Sequence, residues 1–140
     1  MYPKHRLALL TIIPILLLVN GCGEDPIGPD NRMALRALGQ CRHAQALQLT
    51  DNAIERGSAR NAQQALMLKA AILRDQGANA AAEALNPRIA KSWEAVKRRP
   101  LPPKQREHEI AVFIDVARNE RIAQGLSPNC DEAPAHPPRP

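Results

Sequence analysis

Aromatic residues are scarce in this chain: Tyr2, Trp93 and Phe113 are the only three among 140 residues. Val, Ile and Tyr, which fill the interiors of strands, are also sparse in the body of the sequence, and this argues against a β-sandwich or a β-barrel. Ala, Leu, Gln and Arg dominate instead, and these residues favour helices. We therefore expect one all-α domain, since the length excludes Rossmann-type, TIM-barrel and kinase scaffolds.

The N-terminal segment has the pattern of an export signal. Lys4 and Arg6 precede residues 7–19, a mostly apolar stretch of thirteen residues. A positive segment followed by an apolar core of this length is typical of a secretory signal peptide, and it is too short for a transmembrane helix, which needs about twenty apolar residues. Removal of residues 1–21 would leave 119 residues and lower the net charge from +5 to +3. Positive and negative residues are interspersed along the chain, and there are too few aromatic side chains to stack on nucleic-acid bases. We therefore expect no nucleic-acid partner.

The end of this segment, Leu18-Val19-Asn20-Gly21-Cys22, resembles the lipobox of bacterial lipoproteins. An aliphatic residue stands three positions before the cysteine and a small residue directly before it, while Asn20 departs from the usual small or apolar choice. The resemblance implies cleavage after Gly21, diacylglycerol on the Cys22 sulfur and acylation of its new amine. The alternatives are an uncleaved anchor, or an ordinary signal peptide followed by a chance cysteine.

The lipobox resemblance also implies a location. Two or three acyl chains, palmitate among them, hold a protein firmly on a bilayer, so the chain would work in the periplasm as a membrane-anchored lipoprotein. In enteric lipoproteins an aspartate directly after the cysteine retains the protein at the inner membrane. Gly23 occupies that position here, which favours the outer membrane over the inner membrane.

The mature chain divides into a tether, a helical body and a tail. Residues 22–30 are rich in Gly and Pro and predict a flexible tether, residues 31–126 predict an α-helical domain, and residues 127–140 predict a disordered Pro-rich tail. Asp30 is expected to cap a first helix that starts near Asn31. Apolar periodicity and capping residues predict further helices over 41–56, 59–76, 79–85, 86–97 and 104–124.

The segment 65–93 resembles a tetratricopeptide-type helix–turn–helix unit. Gly77 is placed to make the turn, small Ala82 would allow close helix contact, and Pro87 and Trp93 follow where that family often has a proline and an aromatic residue. The resemblance covers about residues 31–97 and implies short helical hairpins that bind partner segments. An irregular small α-helical bundle is the alternative, and both interpretations predict antiparallel hairpins.

The cysteine count predicts one disulfide. If Cys22 carries lipid, Cys41 and Cys130 remain, and two cysteines in an exported protein suggest a bridge. The bridge would join positions 89 residues apart in sequence and stabilise the fold by about 4–5 kcal/mol. It would also hold the start of the tail against the first hairpin. Two free thiols or an intermolecular bridge are the alternatives.

Catalytic and metal-binding patterns are weak. Cys41 and His43 would point about 200° apart on a helix, so joint metal binding is not expected and His43 is interpreted as a surface histidine. Residues 107–109, Glu-His-Glu, are interpreted as a solvated face because no second His lies four residues away. Since no phosphate loop or nucleophile elbow occurs either, no catalytic residue, metal site or cofactor is predicted, and an enzyme is not expected.

Two classes of function remain open. The first is a lipid-anchored periplasmic adaptor or assembly factor of a secretion, conjugation or pilus complex, with envelope proteins as partners. The second is a cell-surface exclusion, immunity or small-ligand-binding lipoprotein that acts alone. The sequence identifies no partner-binding residues and no small-molecule substrate. Accessibility to protease on intact cells would separate the two classes, because an internal adaptor is shielded.

Overall fold

The structure, a computed structural model, describes residues 25–131. The predicted signal peptide, the predicted lipid site at Cys22 and residues 132–140 of the predicted tail lie outside these residues. The described part of the chain contains no strand, which confirms the all-α prediction. Its helices are α1 (Pro29–Gly39), α2 (His43–Arg56), α3 (Ala59–Asp75), α4 (Asn79–Glu83), α5 (Asn86–Lys97) and α6 (Pro103–Ala123).

The first helix begins two residues earlier than predicted. Gly28 precedes it with a φ of 87°, and Pro29 takes the first turn, where its fixed φ and missing N–H cost nothing. Asp30 therefore lies inside the helix instead of capping it. Asn31 is fully buried, and its side-chain amide donates to the carbonyls of Ile27 and Asn61 at 2.7 and 2.8 Å. This amide joins the start of α1 to the start of α3.

The turn between α1 and α2 is made by a cysteine in the left-handed region. Cys41 has a φ of 59°, a conformation that side chains other than Gly rarely adopt. The N–H of Cys41 donates to Leu38 and that of Arg42 to Ala37, so these bonds use the last carbonyls of α1. The second helix consequently starts at His43 and not, as predicted, at Cys41.

Helix α3 is the centre of the bundle and closely matches the helix predicted over 59–76. Ser58 caps its start, since the Ser58 hydroxyl accepts the N–H of Asn61 at 3.2 Å. Gly77, with a φ of 83°, follows its end. The helix packs against α1, α2, α4, α5 and α6, and eight of its seventeen residues are buried.

The core is built mainly from alanine and aliphatic side chains. Both aromatic residues of the described range contribute to it, since Trp93 is 3% and Phe113 9% exposed. The larger fully buried apolar side chains are Leu38, Met67, Leu68, Ile72, Ile89 and Ile110. Burying one such side chain contributes about 1.5–3 kcal/mol in transfer free energy, and the many alanines bring the helices close together.

The last helix closes the bundle. Helices α1, α2 and α3 pack in antiparallel pairs, α1 with α2 and α2 with α3. The short helix α4 and the longer helix α5 then pack on α3, and α6 packs against both α3 and α1. The chain thus returns to its first helix instead of adding one hairpin after another in a row. None of the described helices is both long and apolar enough to cross a bilayer.

The described body extends beyond the predicted domain limits of 31 and 126. Pro29 and Asp30 belong to α1, and Asp25 pairs with Arg32 at 2.8 Å. At the other end Ser127 is only 7% exposed, and residues up to Asp131 follow the body surface as turns. Residues 127–131, which belong to the predicted tail, are held by contacts described below.

Candidate functional site

A disulfide joins Cys41 to Cys130, with their Cα atoms 5.5 Å apart. This confirms the predicted pairing of these two cysteines. The left-handed conformation of Cys41 presents its side chain at the end of α1, where the segment after α6 passes. The bridge therefore fixes the C-terminal segment to the α1–α2 turn, as expected for the start of the tail.

Beside the disulfide lies a buried ion pair between Asp75, the last residue of α3, and Arg121, in the last turn of α6. The two guanidinium NH groups of Arg121 donate to the two carboxylate oxygens of Asp75 at 3.1 and 2.6 Å. The Arg121 side chain is 0% exposed and that of Asp75 is 4% exposed. Two parallel bonds of this kind fix both the distance and the orientation of the charged groups.

Arg121 also holds two backbone carbonyls. It donates to the carbonyl of Leu38 in α1 at 2.7 Å and to that of Pro128, after α6, at 2.8 Å. One side chain thus connects the ends of α1 and α3 to the C-terminal segment. Its Nε is buried without a hydrogen-bond partner, so the network uses the two terminal nitrogens alone.

The position of His43 corrects the prediction of a surface histidine. Its Nε2 lies 2.9 Å from the Asp75 carboxylate, and its side chain is only 19% exposed. His43 is the first residue of α2, which explains the difference: Cys41 is not on that helix, so helical spacing does not separate the two side chains. The Cys130 sulfur lies 3.6 Å from the same carboxylate oxygen of Asp75.

The charge state of Asp75 is set by opposing effects. Burial raises its pKa, but the hydrogen bonds and charges of Arg121 and His43 together outweigh burial, and the net result is a pKa below the ordinary value. The carboxylate therefore remains charged in the folded protein at neutral pH. A buried charge is tolerated here because Arg121 and His43 surround it.

This cluster has limited capacity for chemistry in the disulfide form. His43, Asp75 and Cys130 each place one potential metal-ligand atom within 4.8 Å of the others. However, a sulfur in a disulfide is not a thiolate, and Arg121 already occupies both oxygens of Asp75. The arrangement fits a structural clamp, which we call the Arg121 clamp: Arg121, Asp75, His43 and the disulfide.

The Glu-His-Glu segment lies on the outside of α6. Glu107 pairs with Arg74 at 2.6 Å and with Arg106 at 3.2 Å, and the bond to Arg74 contributes most to a pKa of Glu107 below its ordinary value. His108 is exposed. The segment is thus a charged surface that ties α6 to the end of α3, in agreement with its interpretation as a solvated face.

A shallow groove of about 220 Å³ lies on the surface between α1 and α6, and we call it the α1–α6 groove. It is lined by Arg32, Leu35, Arg36, Val116 and Glu120. Val116 is 44% exposed, and Val112, four residues earlier and therefore on the same helix face, is 43% exposed. Apolar side chains this exposed, beside arginines and a glutamate, form a surface suited to contact with another protein.

Sequence reasoning missed Arg121 and Asp75. The apolar stripe of α6 runs through Ile110, Phe113 and Ala117, and the next position of the same face is Arg121. A charged residue at a core position of the stripe was the available signal. Its partner, forty-six residues away in sequence, leaves no local pattern.

No known protein family, curated protein or solved structure matches this chain in comparisons of sequence and structure.

Proposed function

We propose that the protein is a lipid-anchored adaptor or assembly factor of a bacterial envelope complex, of the secretion, conjugation or pilus type, and that it acts by binding other proteins. Cys22 would carry the lipid in the periplasm, and Gly23 after it favours the outer membrane. The disulfide suits an oxidising compartment of this kind. The observation that carries the proposal is the α1–α6 groove.

The groove combines apolar and charged groups in a way that suits a partner segment. Leu35 is half-buried at its floor and Val116 is exposed beside it, so an apolar side chain of a partner gains contact with both. Arg36 is exposed and takes part in no ion pair within residues 25–131. We expect the partner to present an apolar side chain next to an acidic one, as amphipathic helices do in shallow grooves.

The proposed anchor would keep this groove near the membrane. Six residues lie between Cys22 and Pro29, and even fully extended the two Cα atoms are at most about 25 Å apart. Asp25 also pairs with Arg32, which lines the groove, and this contact shortens the reach further. A partner in the same membrane or in its periplasmic layer is therefore within range of the groove.

Photocrosslinking in the producing bacterium tests the adaptor function. A photoreactive amino acid at Val116 is expected to give one discrete crosslinked species with an envelope protein. The same amino acid at Gln48, exposed on α2 away from the groove, is the control and is expected not to give it. A protein that stays uncrosslinked at Val116, with an acylated N-terminus, would support the alternative of a surface lipoprotein that acts alone.

The anchor has its own test. Cells fed an alkyne fatty acid are expected to label the full-length chain, and Cys22→Ser is expected to abolish the label and to release the protein from membranes. Labelling that persists in Cys22→Ser, or that never occurs, would refute the lipoprotein assignment. Protease added to intact cells then distinguishes a shielded adaptor from the alternative, a cell-surface exclusion, immunity or ligand-binding protein.

A further inference from the structure

Positive charge is concentrated in one segment of the described chain. Residues 86–106, which contain α5 and the loop to α6, hold seven basic residues against one acidic residue, Glu94. The rest of residues 25–131 holds nine basic against eleven acidic residues. The modest net charge of the described residues is therefore the sum of a strongly basic segment and a slightly acidic remainder.

Six of these cations are exposed and take part in no ion pair within residues 25–131, and we call them the basic face. They are Arg88, Lys91, Lys97, Arg98, Arg99 and Lys104. By contrast Arg106, at the edge of the segment, is used by Glu107. Because no carboxylate of the described residues pairs with these six charges, they are available to an anionic ligand.

Four side chains of the basic face lie beside apolar groups. Lys97 and Arg99 lie over the ring of Trp93 at 5.5 and 5.6 Å from its centroid, which positions both side chains. A second groove, of about 380 Å³, lies between α3 and α5 and is lined by Leu66, Arg88, Lys91, Ser92 and Ala95. Two cations thus stand at a groove whose other walls are largely apolar.

We propose that the basic face docks on the anionic phosphate headgroups of the membrane that holds the lipid anchor. The proposal rests on the proposed function, because the anchor keeps the face close to a bilayer. Phosphate groups match the exposed guanidinium and ammonium groups, and the apolar wall formed by Leu66 and Ala95 suits the upper part of an acyl chain.

A lipid surface fits these observations better than a nucleic acid does. Proteins that bind single strands stack bases on exposed aromatic rings, and both aromatic residues of the described range, Trp93 and Phe113, are buried. A bilayer needs no such platform, because headgroup charge alone attracts a cluster of cations. Docking through α5 would fix the orientation of the body relative to the membrane, which the proposed lipid anchor alone does not do.

The test uses the chain from residue 22 with Cys22→Ser, which removes the anchor but keeps residues 25–131 with all the described contacts. Its binding is measured by co-sedimentation with vesicles of phosphatidylcholine alone and with vesicles of equal parts phosphatidylcholine and phosphatidylglycerol. We expect binding to the phosphatidylglycerol vesicles only, and weaker binding as salt is raised. Each cation near such a surface contributes about fivefold to the partition coefficient.

A matched pair of variants separates the basic face from net charge. Arg88→Gln, Lys91→Gln and Arg98→Gln together are expected to lower vesicle binding by about a hundredfold. Arg42→Gln, Arg56→Gln and Arg60→Gln remove the same charge from exposed positions outside the basic face and are expected to lower it far less. Circular dichroism of both variants checks that each keeps its helices.

Three results would overturn the proposal. These are no binding to phosphatidylglycerol vesicles at low salt, an equal loss in the two triple variants, and tighter binding of the same face to a DNA oligonucleotide than to the vesicles. Failure of this proposal and failure of the proposed function give different results. If fatty-acid labelling of the full chain fails while vesicle binding succeeds, the lipid anchor is refuted but binding of the basic face to phosphate headgroups is supported.

Discussion

Replacing Arg121 by leucine is expected to destabilise the fold by about 3–5 kcal/mol, because it leaves a buried carboxylate without its cation. The structure shows where this comes from. Asp75, 4% exposed, loses both bonds from the guanidinium, and the carbonyls of Leu38 and Pro128 lose their donor. A buried polar group without its partner costs about 1–3 kcal/mol, so these losses together account for the expected range.

The assay is urea denaturation followed by far-ultraviolet circular dichroism, with the free energy of unfolding extrapolated to water. Arg118→Leu is the matched control: it makes the same substitution on the same helix, at an exposed position without an ion pair in the described range. We expect it to change stability by less than about 0.5 kcal/mol. If Arg121→Leu does not fold, Arg121→Lys, which keeps the charge but loses the two-pronged geometry, is expected to show an intermediate loss.

A double-mutant cycle with Asp75→Asn measures the coupling between the two residues directly. Since they share two hydrogen bonds, the double variant is expected to lose less than the sum of the two single variants. A loss below about 1 kcal/mol for Arg121→Leu, or an equal loss for Arg118→Leu, would show that the ion pair does not hold the bundle together in the way its geometry indicates.

Three further predictions concern the same body. Cys130→Ser is expected to lower the free energy of unfolding by about 4–5 kcal/mol, measured by urea denaturation, because it opens a loop of 89 residues. Reduction of the wild type should add the mass of two hydrogen atoms, which checks that the bridge is present. Because the pKa of Asp75 is lowered in the folded state, its contribution is complete above the ordinary carboxyl pKa and is lost as the pH falls through the folded value; Asp75→Asn should flatten this acid limb of thermal stability against pH. Gly57→Ala should lower the melting temperature more than Gly77→Ala does, because a Cβ at Gly57 would collide with the Ala53 carbonyl. At Gly77 there is open space, and only its φ of 83° opposes a side chain. Equal decreases in melting temperature would contradict this ranking.

The parts of the fold that could be predicted from sequence are those fixed by near neighbours. Ser58 caps α3 through an N–H three residues away, and Gly77 and Pro87 mark helix ends by their own backbone geometry. The disulfide was predictable by count, because only two cysteines remain once Cys22 is assigned to lipid.

The remaining features depend on contacts between distant segments. Nothing near Asn31 indicates that its amide bonds to Asn61, thirty residues away, and so its burial could not be predicted. Cys41 takes a left-handed conformation that its residue type disfavours, and the folded body, including the bridge to Cys130, has to hold it there. The contact of His43 with Asp75 depends on the conformation of Cys41, because α2 starts at His43 and not at Cys41.

The Arg121 clamp also sets the order in which this protein can be completed during synthesis. Its parts come from both ends of the body: Cys41 leaves the ribosome early, while Arg121 and Cys130 are among the last described residues. Until Arg121 is made, Asp75 has no guanidinium partner and α1 has no final helix to pack against. We therefore expect the nascent chain to stay loosely folded almost to its end, a state that would suit the proposed export across a membrane.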